Sequence, residues 1–182
     1  IILITGLITY AYSAPPLRTK RWAIPANLTI AIPRGCLLIV AGWTAVRSFY
    51  IFEPWFIGSI FALYLLGAAS TKDFSDIKGD KMYGCNTIPI ILGAKKAAIT
   101  MTPFFVLPFI LIPYGKINGI LTGSPIVLYP LTTILVVWGG YTAYLILRKP
   151  EDLTLEANHI SWKHMYLMLL VGQIGFALAY LI

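Results

Sequence analysis

Long apolar runs dominate the chain, and short polar stretches interrupt them at nearly regular intervals. A membrane-spanning helix needs about 20 mostly apolar residues. By that measure the pattern predicts spans at residues 24–46, 55–71, 97–114, 125–147 and 164–182, with a partial span at 1–14. The third run is expected to continue as helix through the acidic residues that follow it. Pro33, Pro103, Pro108 and Pro130 fall inside spans, where membrane helices tolerate proline and kink. Trp43, Tyr50, Trp55 and Trp162 lie near span ends, as interfacial aromatics do.

Composition sharpens this picture. Of 182 residues, 58% are apolar and 12% charged, and mean hydropathy is +0.79. Soluble domains carry about 45–50% apolar and about 25% charged residues. The expected class is therefore an all-α, polytopic transmembrane bundle forming one domain over 1–182, embedded in the lipid bilayer. Cys36 and Cys85 are far apart and lack CxxC spacing, which excludes a disulfide framework or a zinc site. The first apolar run has no charged n-region and no Met, so it does not read as a signal peptide. Its shortness suggests a chain that begins inside a helix, the N-terminally incomplete part of something longer.

The net charge of +7 does not point to nucleic acid, because the basic residues sit in short loops. Loops 15–23, 72–96 and 148–163 hold eleven Lys and Arg, and the two alternate loops hold only Arg47 and Lys116. This is the positive-inside pattern, and it predicts a multi-pass cell-membrane protein with the richer loops in the cytoplasm.

Charge is then concentrated where it is least expected. Six of the ten positions from Lys72 to Lys81 are charged, and Asp73, Asp76 and Asp80 are three of the four aspartates in the chain. On a continuous helix their i, i+3, i+7 spacing keeps them within an arc of about 60°. Hard oxygen ligands on one face suit Mg²⁺, which binds one or two carboxylates and completes its shell with water and substrate phosphates. Gly84 reads as a helix stop. A second polar cluster, YSAPPLRTKRW at 12–22, shares the same predicted membrane face. Its Pro15-Pro16 pair ends a helix, and Arg18, Lys20 and Arg21 follow. These cations, with the hydroxyls of Tyr12 and Ser13, suit a diphosphate held on its other side by Mg²⁺ on the aspartates.

The motif YSAPPL-x-x-K at 12–20 and the pattern D-x-x-D-x-x-G-D-x-x-x-G-x-x-T-x-P at 73–89 resemble the UbiA superfamily of intramembrane prenyltransferases. The first is most similar to the chlorophyll-synthase and archaeal branches. In the second, Asp76 and Asp80 match the DxxxD core and Asp73 an additional upstream acid. The resemblance implies a nine-helix bundle with a cavity open to the cytoplasm and laterally to lipid. It also implies two aspartate motifs facing each other across Mg²⁺. The first of those motifs, of the NDxxDxxxD kind, is absent from this sequence. The six spans match the family's last six, so N-terminal helices of the same protein are expected, and the 182-residue chain alone is expected to be inactive.

The implied reaction transfers a prenyl group from an allylic isoprenyl diphosphate to a lipophilic acceptor: a quinone-precursor aromatic, a prenylglyceryl phosphate or a chlorin. Asn27 and Arg34, spaced i, i+7 inside the second span, are candidates for one face of the cavity. His159 and His164 read as interfacial packing residues, Asp152 and Glu156 as solvated helix-end charges, and Lys95 and Lys96 as a topology anchor. Two other readings remain. A CDP-alcohol phosphotransferase needs D-x-x-D-G-x-x-A-R, but Ile77 follows Asp76. A membrane cation transporter, or a non-enzymatic membrane scaffold, would use the aspartates differently; transport sites lie near mid-membrane.

Overall fold

Glu53–Lys72 is the helix around which the others assemble. In the computed structural model, which describes residues 1–155 and 159–182, 61% of its apolar window is buried, against 28% for the helix Pro125–Leu147. The first is an interior helix, and the second is largely exposed. In chain order the helices are α1 (Ile2–Ser13), α2 (Ala23–Trp43), α3 (Glu53–Lys72), α4 (Ile77–Met82), α5 (Ile88–Leu92), α6 (Ala94–Ile117), α7 (Pro125–Leu147), α8 (Asp152–Leu155) and α9 (Ile160–Leu181). Among the described residues no strand forms. Five of these helices are long and apolar enough to cross a membrane, and α1 is a shorter apolar helix. This is the expected set, with ends shifted by up to four residues. Glu156 lies outside the described residues.

The prolines act where the sequence places them, each by a local mechanism. Pro33 lacks an N–H, and α2 widens into a π-helical segment over Ile32–Leu37. Around Pro103, α6 tightens into a 3-10 turn at Thr102–Phe105. Pro130 is accommodated inside α7.

Helices in lipid gain little from hydrophobic exclusion, so close contact and hydrogen bonds carry their association. At Gly35 the backbone of α2 runs so near Ala62 of α3 that a Cβ there would collide with main-chain atoms. In the central core Tyr64 of α3 packs edge-on against Phe105 and tilted against Phe109 of α6, Phe61 packs edge-on against Phe176 of α9, and Leu128 and Leu135 of α7 belong to the same cluster. The Tyr64 hydroxyl, fully buried, donates to the Met165 carbonyl of α9 at 2.8 Å.

The far end of α3 holds a polar lock that the loop composition did not reveal. Glu53 is 7% exposed, and it accepts hydrogen bonds from the Thr122 backbone N–H, the Thr122 hydroxyl and the Tyr180 hydroxyl. One carboxylate thereby ties the start of α3, the loop before α7 and the end of α9. Removing a partner leaves a buried charge under-satisfied, at a cost of about 1–3 kcal/mol. Tyr180→Phe is expected to lower the thermal stability of the detergent-solubilised protein by that order without changing substrate affinity. Unchanged melting would mean that the lock contributes nothing.

Candidate active site

The acidic run does not form one helix. Helix α3 ends at Lys72, residues 73–76 form a turn, and α4 begins at Ile77. The expected stripe of three carboxylates on one helix is therefore corrected. Phe74, fully buried, explains the break: its ring belongs to the apolar core, and continuing the helix would have to serve both that ring and the flanking acids.

Beyond α4 the chain reverses through a Schellman closure. The Cys85 N–H donates to the Asp80 carbonyl at 2.8 Å and the Gly84 N–H to the Lys81 carbonyl at 3.2 Å. Gly84 has φ +67°, the left-handed conformation that this closure requires. The turn carries Cys85 and Thr87 inward. The next residue to bond outward is Asn86, whose N–H donates to the Arg21 carbonyl at 2.8 Å, and Trp22 and Asn86 form an isolated parallel bridge. The two polar clusters of the sequence are thus stitched together through their backbones.

Between them lies a chamber of about 210 Å³. Asp73 and Asp80 line it from the end of α3 and from α4, Arg18 and Lys20 from the turn after α1, and Tyr12, Asn27 and Thr87 add neutral polar groups. Asn27 is 4% exposed and Thr87 5%, and the Thr87 hydroxyl has no protein partner. A second chamber of about 580 Å³ shares Tyr12, Asp73 and Asp80 and continues between α2, α3 and α9, where Leu65, Ala68 and Leu169 make its wall apolar. Its volume is in the range of a small-molecule site.

Not every expected residue is here. Ser13 and Arg21 are exposed and line neither chamber; Arg21 contributes its carbonyl instead. Asp76 is exposed and borders only the larger chamber. Asn27 lines the small chamber and Arg34 the larger one, and Ile30, between them on α2, lines both. Thr87 and Tyr83 line the small chamber and Trp162 the larger one, none of them expected from sequence as a site residue. The one signal available was the T-x-P that closes the acidic motif. His159 caps α9, accepting from the Ser161 N–H, and His164 accepts from Trp138 Nε1 at 2.9 Å; both are packing roles.

The carboxylates repel one another. Partial burial, with the charges of Asp80 and Asp76, pushes Asp73 up to about 7, and the nearby Lys72 only partly offsets this. Asp80 is raised by burial and by Asp76, and is opposed by Lys20. Among the described residues no three acidic, His or Cys side chains converge as a ready-made metal cluster. The donor set therefore does not fit an all-protein cage. Asp73 and Asp80 are the carboxylates that would hold Mg²⁺, an ion that binds one or two carboxylates and completes its shell with water and phosphate oxygens.

Residues 1–168 match the UbiA prenyltransferase family. The chain belongs to this family. Among UbiA relatives, it is 27% identical to a digeranylgeranylglyceryl phosphate synthase of Methanobrevibacter smithii, covering 98% of this chain and 59% of that protein. It is 39% identical to the chloroplastic homogentisate solanesyltransferase of Arabidopsis thaliana, over 48% of this chain and 24% of that one. A solved structure of a digeranylgeranylglyceryl phosphate synthase superposes with a TM-score of 0.67 at 24% identity, covering 96% of this chain and 59% of that one. The chain thus spans about three fifths of the length of the relatives that it matches end to end.

Proposed function

We propose that this chain carries the diphosphate-handling part of a Mg²⁺-dependent intramembrane prenyltransferase. The observation that supports this reading most is the small chamber, which two carboxylates and the Arg–Lys turn line together with buried Asn27 and the unpaired hydroxyl of Thr87. Neither a transport site nor a scaffold needs cations opposite the acids at a helix end.

In this reading the donor is an allylic prenyl diphosphate and the acceptor a lipophilic molecule, as the names of the UbiA relatives suggest. Mg²⁺, when bound by Asp73 and Asp80, neutralises diphosphate and so improves it as a leaving group. Arg18 and Lys20 bind the phosphate oxygens from the opposite side, Arg in bidentate fashion. As the allylic C–O bond ionises, negative charge grows on the departing oxygen, and these fixed cations stabilise it in a partly dehydrated site. Tyr12 stands where both chambers meet and orients the reacting end of the donor. The apolar wall of the larger chamber keeps water from the allylic cation until an acceptor attacks. The Lys/Arg distribution supports a cytoplasmic orientation for this end of the bundle.

The test is to reconstitute the full-length protein and supply a prenyl diphosphate with Mg²⁺ and a panel of acceptors. Mg²⁺-dependent release of pyrophosphate coupled to a prenylated product is expected. Cation uptake into vesicles with no pyrophosphate release would overturn the reading in favour of transport.

A further inference from the structure

Thr87 stands in the cap position of α5, yet its side chain does not cap the helix. Its backbone is extended, at φ −75° and ψ 163°, as an N-cap residue requires. A threonine hydroxyl there normally accepts from the backbone N–H two or three residues on. Both partners are withdrawn here. Two residues on is Pro89, which has no N–H. Three residues on is Ile90, whose N–H donates at 3.0 Å to the Thr87 carbonyl instead, as does that of Ile91. The spacing T-x-P thus keeps residue 87 in cap geometry while taking away the partners of its hydroxyl.

No other protein group replaces them. Thr87 is 5% exposed, and its hydroxyl makes no hydrogen bond. A buried polar group in that state costs free energy, and native folds seldom keep one without a ligand or an ordered water to complete it. Neighbouring residues set its direction. Asn86 is exposed and pairs with Trp22. Side chains alternate along extended backbone, so Cys85 and Thr87 turn the other way, to the small chamber that both of them line. Arg18 and Lys20 line the same chamber, which suits an occupant with anionic oxygens. A hydroxyl donates to such oxygens without adding charge to a site already crowded with it.

We infer that the Thr87 hydroxyl donates a hydrogen bond to an oxygen of the diphosphate in the small chamber, and that Pro89 serves binding by denying that hydroxyl a partner in α5. The inference rests on the prenyl-transfer reading and adds a neutral contact to its charged ones. The short helix is not itself the anion site; the donor is the side chain.

The experiment combines Mg²⁺-pyrophosphate titration with ligand-free thermal melting of the full-length protein. The variants are Thr87→Val, Thr87→Ser, Pro89→Ala and the double change Thr87→Val with Pro89→Ala. Valine keeps the shape and removes the hydroxyl. Thr87→Val is expected to weaken pyrophosphate binding by roughly tenfold to a hundredfold, the scale of a hydrogen bond to a charged group. Without ligand it is expected to melt no lower than the unmodified protein, because it loses an unpaired buried group. Thr87→Ser keeps the donor and is expected to bind within about threefold of the unmodified protein. Pro89→Ala returns an N–H from which the hydroxyl can accept, drawing it onto the helix, and is expected to weaken binding by about threefold or more. In the Thr87→Val background the same proline change is expected to alter affinity by less than about twofold, since the two residues act through one hydroxyl.

Unchanged affinity in Thr87→Val would mean that only water meets the hydroxyl, and would overturn the inference. A lower melting point in that variant would do so too, by showing a hydroxyl that holds the fold. Equal weakening by Pro89→Ala with and without the hydroxyl would place the proline's effect in the fold rather than in binding, with the same consequence. Absence of pyrophosphate binding in the unmodified protein would instead count against the prenyl-transfer reading itself.

Discussion

Replacing Asp80 with Asn is expected to lower kcat/KM for Mg²⁺-dependent prenyl transfer by about a thousandfold, the scale of losing one principal electrostatic contact in a preorganised site. Asp80 borders both chambers and feels the charge of Lys20, so in the proposed reaction it would be one of the groups that hold the metal and the diphosphate. Asp73→Asn is expected to be similarly damaging, and Asp76→Asn much milder, because Asp76 is exposed and borders only the larger chamber. Equal losses at all three positions would restore the three-carboxylate arrangement that the helical spacing suggests.

The same substitution at Asp73 is expected to make the protein more stable. Burial and two neighbouring acids raise Asp73 from the usual carboxylate range to about 7. A group whose pKa rises on folding favours the folded state at low pH and loses that contribution as pH climbs through the folded value. In chelator, Asp73 therefore weakens the fold progressively between about pH 4 and pH 7. At pH 8 Asp73→Asn should gain on the order of 2 kcal/mol, about half the full linkage value because the side chain is only partly buried. At pH 4 the variant and the unmodified protein should melt alike. Thermal unfolding in detergent at the two pH values checks this, and a gain at pH 4 equal to that at pH 8 would sink the electrostatic explanation.

Hydropathy made the spans legible because lipid imposes one requirement on every residue of a run: backbone groups must be paired internally and side chains must be apolar. The broken acidic helix was not legible, since period counting on Asp73, Asp76 and Asp80 ignores what lies between them. Phe74 decides the outcome by entering the core, a tertiary effect that outweighs helical continuity. Arg18 and Lys20 could be found from the proline pair and the cations that follow. Arg21 looked equivalent in sequence, but its role is set by a backbone bridge to Asn86 that no spacing rule encodes. The π-helical segment at Ile32–Leu37 was not legible either, since nothing in the apolar pattern around Pro33 encodes it. Glu53 was hidden in a loop that seemed plain, because its partners come from Thr122 and Tyr180, far along the chain.

Arg18 offers a test in which function and stability move apart. Its backbone lies at φ 40°, ψ 57°, in the left-handed region, where a side chain costs about 1–2 kcal/mol. Glycine occupies that conformation freely but brings a more flexible unfolded chain, which offsets part of the relief. Arg18→Gly is therefore expected to keep its stability or gain up to about 1 kcal/mol. If Arg18 were only a topology-setting charge, this would be a harmless change. In a diphosphate site it removes a charge-assisted, bidentate contact, worth about 1.5–3 kcal/mol, or roughly ten- to a hundredfold in donor affinity. Lys20→Ala should weaken donor binding by a similar factor, whereas Arg21→Ala should change it by less than twofold, because Arg21 is exposed and lines neither chamber. Titrating the donor analogue pyrophosphate with Mg²⁺ into the full-length variants separates the cases. Weakened binding in Arg18→Gly and Lys20→Ala, intact binding in Arg21→Ala and unimpaired melting in Arg18→Gly together place the diphosphate at this turn. Equal weakening in all three would mean that only the summed charge of the loop matters, and the chamber would lose its cationic wall.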